Sequence, residues 1–157
     1  MELINPFDPI FWKAMGLAIA CGGLIGLERQ IRGKPAGIRT SILICFSTAT
    51  FVHLGAAVAG AADPTRVLGQ VVTGVGFLGA GVIMAREGIV TGMTSAAAIW
   101  MLAAVGACIG MGQFGAAAML TLMTLLVLLG VEILERRFYR LRTGVHHRSP
   151  GHREGDG

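Results

Sequence analysis

Five charged residues crowd into one short stretch, GGLIGLERQIRGKPAGIRT from Gly22 to Thr40: Glu28, Arg29, Arg32, Lys34 and Arg39. Glu28 and Arg39 flank it at similar depth, so a charge-assisted pair between them is one expectation, and snorkelling of both to water is the other. Asp63 stands before Pro64 at a helix start, where its carboxylate suits the positive end of the helix dipole. As a cation ligand it would be a single carboxylate without the further oxygens that magnesium or calcium requires. The remaining polar candidates are Thr40 beside Arg39, Arg66, Gln70, Thr94 and Trp100. The indole N–H of Trp100 calls for a partner inside a bundle.

Other chemistries lack their residues. Cys21, Cys45 and Cys108 have no metal-type spacing and read as small packing residues. His146, His147 and His152 cluster near the end of the chain, a pattern of low specificity for metal. No Ser-His-Asp order, paired carboxylates, P-loop or strand followed by GxGxxG is present. The expectation is a protein that is not an enzyme, with no catalytic residue, no metal and no cofactor.

The elements that hold these residues are apolar. Of 157 residues, 54% are hydrophobic and 14% charged, and the mean hydropathy is +0.68, against roughly 25% charged in a soluble domain. Five segments are about one bilayer thickness long, residues 10–27, 38–60, 67–85, 94–111 and 115–134. The fold class expected is therefore all-α, a polytopic membrane helical bundle with about five transmembrane helices over residues 1–135. Residues 136–157 form a basic tail with too few apolar residues to fold. Short loops make successive helices antiparallel neighbours. The acidic N-terminal stretch has no basic n-region and no cleavage site, so the first span is expected to stay in the mature chain.

Charge sets the orientation. With the Gly22–Thr40 connector in the cytoplasm, 11 of the 13 Lys and Arg fall on that side, leaving the N-terminus outside and the C-terminus cytoplasmic. The formal charge of +4 then reports orientation and contact with lipid headgroups, and no nucleic-acid partner is expected.

Glycine, at 24 residues, lies within the spans. Gly22-x-x-x-Gly26 and Gly106-x-x-x-Gly110 place small residues on one helix face, where backbones approach closely in lipid. Gly74, Gly76, Gly79 and Gly81 allow two readings, tight packing or a hinge lining a site with Gln70.

GGLIGLERQ, KPAGIRT, DPTRVLGQVVTGVGFLGAGVIM and TSAAAIW, in this order and with these short spacings, resemble the membrane domain of the MgtC/SapB family from about Gly22 to about Leu129. The resemblance implies a bacterial inner-membrane protein linked to growth in low magnesium, acid tolerance and survival inside host cells. It further implies a regulator that binds other membrane proteins, among them the membrane sector of the ATP synthase. Two polar positions of the family differ: Ser41 stands where a His is common, and Thr91 where a basic residue is common. The virulence-associated branch also carries a folded cytoplasmic domain after the last span, where this sequence has the tail. The function expected is a non-enzymatic regulator or interaction partner in magnesium limitation, acid or envelope stress and ion homeostasis, in contact with membrane lipid and compatible with a homo-oligomer. The alternative is a small-solute or cation pathway along the Gly-rich third span. Against a magnesium pathway, no Asp or Glu lies in the middle of any span.

Overall fold

In a computed structural model, residues 9–59, 64–86 and 88–137 are described. The helices run α1 Pro9–Ile31, α2 Ile38–Ala59, α3 Pro64–Gly81, α4 Met93–Gly110 and α5 Phe114–Arg137. Four of them, α1, α2, α4 and α5, contain stretches long and apolar enough to cross a membrane. The chain is an all-helical membrane bundle with one addition, a β-hairpin of β1 Met84–Arg86 and β2 Ile89–Thr91, paired Met84 to Thr91 and Arg86 to Ile89.

The third expected span, 67–85, is shifted. α3 begins at Pro64, where the ring pre-sets a helical φ and no amide is lost, and it ends at Gly81. It is 18 residues long, carries Arg66 and Gln70, and is not among the four described helices with a stretch long and apolar enough to cross a membrane. Its glycines do not break it, since the helix is continuous through Gly74 and Gly76. A hinge, one of the two readings for this segment, is not seen within α3.

Residues 1–125 make one compact unit, and residues 126–157 a second. In the first, α2 is held between α1 and α4 by backbone contact. A Cβ at Gly22 would lie 2.8 Å from the Ser41 carbonyl oxygen, and one at Gly26 would lie 2.7 Å from the Ile38 Cα. On the other side of α2, a Cβ at Gly106 would strike the Cys45 carbonyl oxygen, and one at Gly110 would lie 2.5 Å from the Ala49 carbonyl oxygen. Both Gly-x-x-x-Gly pairs thus lie where two helix backbones approach closely. The core between them consists of Ala18, Cys21, Cys45, Ala49, Val105, Ile109 and Ala117, which brings Cys21 and Cys45 to one level of the bundle. In the second unit, described to residue 137, the exposed side chains include Leu126, Val127, Leu129, Val131, Ile133 and Leu134.

The turns are tied down locally. After α1, the Lys34 amide donates to the Arg29 carbonyl at 2.9 Å and the Gly33 amide to the Gln30 carbonyl at 3.0 Å. Gly33, at φ +60°, supplies the left-handed residue of this helix end. The Gln30 side-chain oxygen accepts from the Ile38 amide at 3.2 Å and so caps α2. Gly92, at φ +91°, caps α4, and a Cβ there would strike the Val82 carbonyl oxygen. Only glycine fits where the hairpin feeds into α4.

Candidate functional site

The charged residues gather where α1 ends. Arg29, on the face of α1 that carries Gly22 and Gly26, is turned into the bundle and is 3% exposed. Its Nη2 donates to Ser95 Oγ at 2.5 Å, joining α1 to the first turn of α4. Glu28 is also buried, and its Oε1 lies 2.6 Å from Arg32 Nε one turn along the same helix. Neither carboxylate oxygen of Glu28 meets hydrogen-bond geometry with a donor among the described residues, and the same holds for Arg29 Nε. The short Glu28–Arg32 distance is therefore a contact of charges and not a well-aligned hydrogen bond. The distance carries its attraction, because Coulomb energy depends on separation more than on angle.

The Glu28–Arg39 pair does not form. Arg39 and Thr40 are exposed at the start of α2, and an arginine one turn away on the same helix reaches Glu28 first. Thr94 is exposed, whereas Ser95 beside it is buried, so the hydroxyl of this segment that reaches α1 is that of Ser95. Asp63 lies outside the described residues. Arg66 and Gln70 are exposed on α3. Trp100, 48% exposed, faces α3 at its edge, where a Cβ at Gly79 would lie 3.6 Å from the Trp100 Cδ1. Its indole finds no hydrogen-bond partner among the described residues.

The glycines divide. Gly22 and Gly26 are locked against α2, and Gly79 meets Ala96 and Trp100 of α4 at ordinary contact distance. Gly69, Gly74, Gly76 and Gly81 have nothing within 4 Å of the position a Cβ would take. Packing was one of the two readings for this segment, and it holds for Gly79 alone among the four named.

Sequence reasoning missed Arg29 and Ser95 as partners. The signal was present in the spacing: residues 22, 26 and 29 share one helical face, as do 95, 99, 102 and 106. An arginine in line with two packing glycines must point at whatever those glycines touch.

This arrangement can hold two helix ends together and present charge at a membrane surface. Residues 15–137 match the model of the MgtC family. A protein of Escherichia coli K12 called putative magnesium transporter YhiD is 42% identical over 144 residues, covering 83% of this chain and 62% of that protein. Protein MgtC of Brucella suis is 43% identical over 123 residues, 74% of this chain and 52% of that protein. Protein MgtC of Salmonella typhimurium is 44% identical over 109 residues, 69% of this chain and 46% of that protein. This chain thus spans about half to three-fifths of the length of these curated relatives. No solved structure matches. The chain belongs to the MgtC family.

Proposed function

We propose that this protein is a non-enzymatic regulator of the bacterial inner membrane, acting in magnesium limitation, acid or envelope stress by binding other membrane proteins through helix faces. The observation that carries this reading is the outer face of α3. On the side away from α4, that helix presents Gly69, Gln70, Thr73, Gly74, Ala80 and Gly81, all exposed, together with Phe77. Its packed side holds Val75 and Gly79. Val72 and Leu78 at the flanks of that face are exposed too, as lipid would favour, but an amide and small residues between them suit contact with protein, where backbones approach and an amide finds a partner. The basic connector supports an orientation with that end in the cytoplasm and the N-terminus outside. The membrane sector of the ATP synthase is the partner that the family resemblance suggests.

A magnesium pathway is the second reading, and it is favoured by the name of the Escherichia coli relative. Against it stands the backbone contact of α2 with α1 at Gly22 and Gly26 and with α4 at Gly106 and Gly110, which closes both seams at those levels. The test pairs two measurements. Photo-crosslinking from residue 73 in native membranes should yield protein adducts, and proteoliposomes of the purified chain should show no magnesium uptake above empty liposomes. Uptake, with lipid adducts alone from residue 73, would replace the regulator by a carrier.

A further inference from the structure

The outer face of α3 has a shape as well as a composition. Arg66, Gln70, Thr73, Phe77 and Ala80 follow one another at spacings of four, three, four and three, the pattern of a seam between two nearly parallel helices. Phe77 is 81% exposed and stands between Gly74 and Gly81, at each of which a Cβ would meet open space. One face therefore carries a bump with hollows beside it. An interface about a two-fold axis needs a surface that is its own complement, with residue i meeting j and j meeting i.

The polar groups obey the same rule. Gln70 lies six residues into the helix, about 9 Å from its start, exposed and without a hydrogen-bond partner among the described residues. An amide both donates and accepts, so two copies of Gln70 satisfy each other. The Thr73 hydroxyl already donates to the Gly69 carbonyl at 3.0 Å and brings no unmet polar demand to the seam. Arg66, in the first turn, reaches water where the seam leaves the membrane.

α5 shows what a lipid-facing helix of this chain looks like. Its Thr121 and Thr124 are buried, with hydroxyls bonded to the Ala117 and Leu120 carbonyls at 2.8 and 2.7 Å, while Met119, Leu122 and Met123 are exposed. On α3 the polar side chains Gln70 and Thr73 are exposed as well, beside Val72, Phe77 and Leu78.

The geometry points to a symmetric dimer in which α3 packs on α3 of a second copy, Phe77 of each entering the glycine hollows of the other and the two Gln70 amides bonding across the axis. Copies of one chain share one orientation in the membrane, so the axis runs along the membrane normal and the helices meet in register. This rests on the reading of the α3 face as a protein-docking surface and names its occupant.

The experiment uses the full chain in native membranes. Thr73→Cys should form a disulfide-linked dimer on mild oxidation, whereas the parent chain with its three native cysteines, and Leu122→Cys on α5, should not. Gly74→Leu and Phe77→Ala, added separately, should each weaken dimerisation about tenfold, equivalent to about 1.4 kcal/mol. Both variants should keep the parent's melting temperature as monomers in detergent. A benzophenone side chain at residue 73 separates the failures. Adducts to a different protein with no self-adduct would overturn the dimer and keep the docking face. Lipid adducts alone would overturn both.

Discussion

The same residue does opposite things in two regions of this bundle. In α1 and α4, Gly22, Gly26, Gly106 and Gly110 are places where neighbouring backbone already occupies the space of a side chain. In α3, Gly69, Gly74, Gly76 and Gly81 are places where nothing does. Glycine costs helix stability in either setting, by up to about 1 kcal/mol relative to alanine. In the first region close approach offsets the cost within the chain. In the second no contact within the described chain offsets it, and in the proposed dimer the second copy of α3 does.

The sharpest way to break this contrast is to fill both sets. Gly106→Leu or Gly26→Leu should abolish the folded monomer, at a cost of about 3 kcal/mol or more, because backbone and not a flexible side chain must move. Detergent melting followed by size exclusion checks this. A stable Gly106→Leu variant would mean that α2 and α4 do not meet as described.

The buried charges come next. Arg29→Met leaves the Glu28 carboxylate with less compensation, and Glu28→Gln leaves Arg29 and Arg32 facing each other; each should destabilise by about 3 kcal/mol. Ser95→Ala removes only the hydroxyl that Arg29 reaches and should cost about 0.6–2 kcal/mol, the range of interhelical hydrogen bonds in membranes. If Ser95→Ala equals Arg29→Met in melting temperature, the hydrogen bond and not the charge is the main term.

Smaller effects sharpen the open side of the comparison. Gly74→Ala should leave the monomer unchanged or raise its stability by up to about 1 kcal/mol, read from melting in detergent. Arg39→Gln should lie within about 0.5 kcal/mol of the parent. A double-mutant cycle between positions 28 and 39 should show no coupling beyond about 0.5 kcal/mol. A larger coupling would restore the pair that the structure replaces with Glu28–Arg32.

Much of the fold was legible because apolar runs of bilayer length announce helices regardless of detail, and the two Gly-x-x-x-Gly pairs announce where they meet. The hairpin was not. Strands of three residues, Met84–Arg86 and Ile89–Thr91, are too short for alternation to rise above an ordinary loop. The glycines of α3 were visible as a group, yet composition cannot say which side of a helix finds a neighbour; only the placement of Val75 and Gly79 toward the packed side separates Gly79 from Gly74. At the charged end, depth alone suggested Arg39 for Glu28, while helical geometry offered Arg32 at four residues' remove. Arg29 was hidden among the other basic residues of the connector, although its alignment with Gly22 and Gly26 marked it.

The hairpin has a consequence for how the chain enters the membrane. α3 carries an arginine and a glutamine in 18 residues, so its own tendency to leave the insertion machinery for lipid is weak. The Met84–Thr91 ladder and the Gly92 turn fasten its exit to the entry of α4, which is lipid-grade. α3 is thus expected to wait for α4 and to insert with it as one antiparallel unit. A nascent chain truncated after Arg86 should leave α3 accessible to water-soluble labelling reagents, and extension through Gly110 should protect it; protection of the shorter chain would mean that α3 inserts unaided.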